Sequence, residues 1–216
     1  MAGDVSGRSC DLSAKVECRG GDLHGRDLRA HDLSGADLRR ADLHGAILRN
    51  MDLRGVNLRH ANLRGADMRG VRLGSAVPGT RGLPACAPTC AGADLSGADL
   101  TGALLIDAEL IGTNLSGANL TSADLSGASA GNANFSSATL VNTNLSDVQM
   151  TFANLTNANL TGANLTSAGM LGVILNGANL TNANLAGAGL VTVPAPTGVT
   201  WTGATCMNGQ QGPYPC

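Results

Sequence analysis

Aromatic side chains are nearly missing from this sequence, with two Phe, one Tyr and one Trp in 216 residues. A core built on large rings is therefore excluded. Charge is scarce too, at 14% Asp, Glu, Lys and Arg, where a soluble domain usually carries about 25%. No apolar run approaches the ~20 residues of a membrane-spanning helix, so no span is expected. Lys, Arg and His do not occur after Arg81. There is no nucleophile elbow and no glycine-rich phosphate loop behind a strand, so neither catalysis nor a cofactor is expected. What is abundant is glycine, at 30 positions, within a chain that is 43% hydrophobic. That apolar share argues against disorder. The core has to come from many copies of Leu and Ala.

Those copies recur every five residues. From Leu23 to Leu73 each fifth position is Leu except Met68. From Leu95 to Leu190 sixteen of twenty such positions are Leu, the others being Ala130, Phe135, Met150 and Met170. Two residues earlier stands a small side chain, and Asp or Asn often directly precedes the Leu, as in Ala158-Asn159-Leu160-Thr161-Gly162. A helix would advance about 500° per unit and scatter the leucines. A continuous strand would turn every second one outward. The spacing therefore predicts a short extended piece followed by a corner, with the small residue and the Leu facing in. Gly at the end of the unit suits that corner.

In these units the chain resembles the pentapeptide-repeat proteins over roughly residues 16–193. The resemblance implies an all-β fold, a right-handed quadrilateral β-helix with four units per coil. The thirty-one units of this sequence would then make about eight coils, a rod of ~37 Å at ~4.8 Å per coil.

The expected organisation is an N-terminal cap (1–20), an Arg/Asp-rich block (21–75), a Pro/Cys segment (76–92), an Asn/Thr-rich block (93–193) and a C-terminal cap (194–216). Leu73 and Leu95 are 22 residues apart, which breaks the register. Either the segment between them loops out, or it carries three degraded units centred on Pro78, Leu83 and Pro88. In quinolone-resistance members of the family protruding loops are functional, so the segment is a candidate contact site. Trp201 is expected to lie over the last coil and cover Leu185 and Leu190. The six cysteines fall into neighbouring pairs, Cys10 with Cys18, Cys86 with Cys90 and Cys206 with Cys216. They read as three short disulfides, with free thiols or a metal as the alternatives. Disulfides and the tail favour an extracellular or periplasmic location. No charged-then-apolar segment precedes Cys10, which keeps a cytoplasmic location open.

The net charge of −2 conceals an asymmetry: residues 1–92 hold 14 basic and 10 acidic side chains, residues 93–216 none and six. With a twenty-residue coil, Arg19, Arg39 and Arg59 stack on one side and Arg29, Arg49 and Arg69 on the opposite side. They are candidates for an interaction surface toward a polyanionic polymer. Alternatively Asp27, Asp37, Asp52 and Asp67, each two residues before an Arg, neutralise the arginines as surface pairs. Asp22, His24, Asp42 and His44 would face out from adjacent coils, a candidate divalent-metal cluster. Asn114, Asn134 and Asn154 would stack as an amide ladder.

The function expected is a non-enzymatic structural or binding solenoid, monomeric or weakly dimeric, that presents polar faces to a protein or polyanionic polymer. Nucleic acid is not the expected partner. The alternative, carried by the family resemblance, is a DNA mimic that binds gyrase and protects it from toxins or antibiotics. The basic first block and the scarcity of Phe at central positions depart from that pattern.

Overall fold

In the computed structural model the described residues are Cys10, 17–53, 55–73, 93–192 and 195–208. They form a repeat β-solenoid without helices. Two strands have three residues each, β1 (Gly169–Leu171) and β2 (Gly189–Val191), and they pair in parallel. Elsewhere among the described residues one residue per unit forms a parallel bridge to a neighbouring coil, except at Asp32.

These bridges line up in four ladders. The first runs Glu17, Asp37, Asn57, Asp94, Asn114 and on to Ile174; the second starts at Asp22 and the third at Asp27. The fourth runs from Asp52 through Arg72 and Glu109 to Gln149, and ends on β1 and β2. Within a block each step is twenty residues, or four units. Hydrogen bonds along the axis hold the coils together, with the Leu43 amide donating to Asn62 O and the Asn62 amide to Ala41 O.

Each corner is a β-turn closed by the amide of the next small residue, as where Ala41 N donates to Leu38 O at 3.0 Å. Such a turn needs a positive φ at its third residue, which favours Gly, Asn or Asp. Of thirteen described non-glycine residues with positive φ, ten are Asn, Ser or Asp. Corner side chains lean toward the following coil. A Cβ on Gly162 (φ +68°) would overlap the Asn142 amide oxygen, so a side chain in one coil is matched by its absence in the next.

Small residues and leucines fill the interior, nearly all of them under 2% exposed. Each buried Leu contributes ~1.5–3 kcal/mol relative to exposure. Two threonines replace the small residue inside. Thr143 Oγ1 donates to Leu120 O at 2.8 Å, whereas Thr113 Oγ1 finds no partner among the described residues. Thr113→Val should therefore stabilise the protein by about 1 kcal/mol while Thr143→Val costs about as much. Urea denaturation of the two variants checks this, and equal signs would refute it.

Between the blocks the ladder steps change from twenty to 37 residues, as in Asn57 to Asp94 and Arg72 to Glu109. Ala93 N donates to Leu73 O at 2.7 Å, the corner bond normally made by the third residue after the Leu. The coil thus closes from Leu73 onto Ala93, and the ladder does not step through three further units. Residues 74–92 lie outside the described residues.

At the far end the step becomes 21 residues, from Asn179 to Thr200 and from Asn184 to Thr205. Trp201 consequently takes the inward central position above Leu180 and is 8% exposed. Ala204 N closes its corner onto Trp201 O at 3.0 Å. Trp201 is thus a rung of the last described coil, in line with Leu180. Cys206 falls on the central position that follows Leu185.

Candidate functional site

The two arginine columns stand on the first and third ladders, which are opposite sides of the coil, and their charges meet carboxylates. Arg29 reaches back two residues to Asp27 at 2.7 Å, and Arg39 bonds Asp37 in the same way. Asp67 takes Arg69 at 2.8 Å from its own strand and Arg49 from the coil before. Arg59 and Arg64 reach the second block, to Asp94 at 3.6 Å and Asp99 at 3.2 Å. Arg19 also has a partner. The N-terminal block is therefore a mixed-charge surface of repeated pairs.

The carboxyl groups register this pairing. Hydrogen bonds from the Arg29 side chain and amide hold Asp27 down at about 2. Asp67 is held at about 2, chiefly by the Arg69 hydrogen bond with Arg49 assisting, against the upward push of its partial burial. Burial also pushes Asp99 up, but the Thr101 bonds and Arg64 outweigh it and its pKa falls. A carboxyl lowered on folding stabilises the fold fully above its unfolded pKa of ~4, and that contribution fades toward pH 2. Asp67→Asn should then cost about 1 kcal/mol at pH 7, the scale of a partly screened pair. Urea denaturation at neutral pH and near pH 2 checks this, since the difference between variant and parent should vanish in acid.

Asp22, His24, Asp42 and His44 do not gather round one point. The two imidazoles stack on each other, with centroids 4.9 Å apart and planes at 15°. Asp22 and Asp42 instead each accept the backbone amide two residues on, both at 3.1 Å, and Asp42 also accepts Asn62 Nδ2 at 2.9 Å. Among the described residues no group of three or more His, Cys, Asp or Glu is placed to hold a metal.

One depression, of about 400 Å³, lies where Asp32 and Asp52 lack the bridge that joins neighbouring coils elsewhere. Arg29, His31, Asp32, Arg49, Asn50 and Asp52 line it. The Ser34 hydroxyl and amide lower the Asp32 pKa while the Asp52 charge opposes them.

The second block shows the amide ladder. Asn154 Nδ2 donates to Asn134 Oδ1 and Asn134 Nδ2 to Asn114 Oδ1, both at 3.3 Å. Asn114 Nδ2 ends the chain on Asp94 Oδ1 at 3.1 Å. Each amide oxygen also accepts the backbone N–H two residues on, as Asn134 does from Ser136 at 3.1 Å. Threonines join in, with Thr161 Oγ1 donating to Asn159 Oδ1 at 2.6 Å. These side chains are fixed before any partner arrives.

Cys10 and Cys18 form a disulfide with Cα atoms 5.5 Å apart, and Cys206 is disulfide-bonded as well. Cys18 and Cys206 both occupy central positions, one near each end of the described ladder. Cys86, Cys90 and Cys216 lie outside the described residues. Sequence reasoning passed over the corner residue Phe152, 58% exposed with φ +58°. The available signal was its place two residues after Met150, where other units carry Gly, Asn or Ser.

A sequence model described as pentapeptide repeats matches eight copies, over residues 17–55, 36–74, 90–127 and 131–166. Among curated protein sequences none matches significantly. A trypsin-treated form of QnrB1, a plasmid-mediated fluoroquinolone resistance protein, superposes with a TM-score of 0.63 at 19% identity, covering 87% of this chain and 84% of that one. A pentapeptide repeat protein of the Arabidopsis thaliana thylakoid lumen is 30% identical over 61% of this chain and 69% of its own, with a TM-score of 0.41. HetL, involved in heterocyst differentiation regulation in the cyanobacterium Nostoc, is 28% identical over 92% of both chains, with a TM-score of 0.31.

Proposed function

This chain belongs to the pentapeptide-repeat family, and on that footing we propose that it is a non-enzymatic binding rod for a protein partner. The rod is a right-handed, four-sided coil of about eight turns with a cap at each end. One observation carries this reading: the outward Asn, Asp, Ser and Thr side chains are already held by bonds along and between coils. A partner that docks on such a face does not have to order those side chains first, an expense of ~0.5–1.5 kcal/mol each at a flexible surface. A long flat face suits a macromolecule better than a small substrate, which needs a concave pocket.

A photo-crosslinking residue placed on each ladder in turn, at Ser126, Ser136, Thr151 and Thr161, tests the reading in the native host. A discrete protein adduct from one face supports it, and no adduct from any of the four sinks it. The polyanion variant of the reading is weakened by the ion pairs, since a paired guanidinium has less counterion to release. Heparin retention that persists at ~150 mM salt would restore that variant.

DNA mimicry toward gyrase requires rows of uncompensated carboxylates. Asp27, Asp37, Asp67, Asp94 and Asp99 are instead paired with arginine, which lends that reading little support. Inhibition of supercoiling, or its protection from a quinolone, at micromolar protein would reinstate it.

The bonded Cys18 and Cys206 favour an oxidising compartment on this reading, where the staples secure the terminal coils. Alkylation should then add mass only after reduction; six adducts on freshly isolated, unreduced protein would overturn the export assignment.

A further inference from the structure

Six acidic side chains follow residue 92. Three of them are held by arginines of the first block: Asp94 by Arg59, Asp99 by Arg64 and Glu109 by Arg72. The other three, Asp107, Asp124 and Asp147, all belong to the third side of the coil. Asp124 stands on the third ladder, and Asp107 and Asp147 stand at the corner that ends that side. They occupy three successive coils, and among the described residues no arginine pairs with them.

The same side carries Arg29, Arg49 and Arg69 on the three coils before. Their side chains are 52%, 44% and 41% exposed. Arg29 and Arg69 use Nε and Nη2 to hold Asp27 and Asp67, which leaves Nη1 to donate outward. With the exposed Arg26, four arginines meet two aspartates in this half, so it is positive. Leu104 and Ile106, partly exposed on outward positions, stand where the sign changes. Along the rod the third side is thus positive over three coils and negative over the next three.

We propose that this side is the contact of a weak antiparallel homodimer. Its charge is antisymmetric about the midpoint, which is what an isologous contact between reversed rods requires. A two-fold axis across the rods, between the rungs of Asp67 and Leu104, sets the coils of the two copies opposite each other in reverse order. Arg69 then faces the coil of the second copy's Asp107, Arg49 that of its Asp124, and Arg29 that of its Asp147. Each pair occurs twice, and the Leu104 and Ile106 side chains of both copies meet at the centre. A two-fold axis along the rods would instead set arginine on arginine and aspartate on aspartate. A uniformly acidic or basic partner would be drawn to one half and repelled by the other. Six coils at ~4.8 Å by ~10 Å of strand give roughly 300 Å² per copy, well below the ~800 Å² of stable complexes, so the dimer is weak and depends on charge. The other three sides stay open to a different partner.

Sedimentation equilibrium of the full chain from ~10 µM to ~1 mM, at ~20 mM and ~300 mM NaCl, tests the proposal. The parent should dimerise in low salt, with an affinity that falls about tenfold or more in high salt. Asp107→Asn combined with Asp147→Asn should weaken the dimer by about tenfold in low salt. Thermal unfolding of that variant should match the parent, since Asn142, Asn157 and Asn182 already hold equivalent corners. Arg29→Glu and Asp147→Arg should each weaken dimerisation, and both together in one chain should restore it. Residue 29 meets residue 147 only when the rods are reversed, and arginine fits the corner, as Arg40 does at φ +59°. A parent that stays monomeric in both salts overturns the proposal. So does dimerisation that neither salt nor the Asn substitutions weaken, or a charge exchange that fails to restore it.

Discussion

Phe135→Ala is expected to cost about 3–5 kcal/mol, as for a large ring removed from a packed core. Phe135 is the largest fully buried side chain among the described residues. Its layer consists of the successive central residues Leu120, Leu125, Ala130 and Phe135, all with no exposure. An alanine and a phenylalanine together carry as many side-chain carbons as two leucines. The layer therefore keeps the volume of its neighbour, Leu100 to Leu115, which is leucine throughout. The next residue in the Ala130 column is Met150, whose unbranched chain fits irregular space.

A double-mutant cycle separates this compensation from simple burial. Ala130→Leu alone overpacks the layer, at a cost of about 1–3 kcal/mol. Phe135→Leu alone leaves a gap of three carbons, for about 1–1.5 kcal/mol. Together they recreate a four-leucine layer and should fall within about 1 kcal/mol of the parent, a coupling that independent sites do not show. Urea midpoints measure all three variants. Costs that simply add would reject the compensation.

Trp201→Ala has the other large effect, confined to one end. In a solenoid each coil is stabilised mainly by its neighbours, so a defect propagates only as far as the next coil or two. Trp201 is the larger of the two buried apolar side chains in the last described coil, beside Ala204, and its loss should remove about 3 kcal/mol or more from that coil. The coil then frays, and Leu180 and Leu185 meet water. Hydrogen exchange should show the amides of Leu180, Asn182, Leu185 and Gly187, which donate to the carbonyls of Thr200, Thr202, Thr205 and Met207, losing roughly a hundredfold or more in protection. Amides of residues 120–150 should be unchanged. Equal loss along the rod would mean that the solenoid unfolds as one unit.

The arginine columns illustrate how far a linear pattern reaches. That Asp two residues before an Arg pairs with it follows from strand geometry, and Asp27 with Arg29 obeys. Arg59 with Asp94 does not follow, because 35 residues and the break after Leu73 separate them. The same limit applied to the histidines: a twenty-residue spacing put His24 above His44, but the backbone amides claimed the carboxylates that would have completed a metal site.

The five-residue spacing of small residues and leucines by itself determined which side chains face inward, because inside and outside are decided within each unit by alternation and a corner. It also determined that charge lies in the first block and amides in the second. Only the tertiary structure decided how the coils meet. The step of 37 residues across the insert and 21 near the end depends on where the backbone can close a corner, which no local pattern records. That closure puts Trp201 on a rung.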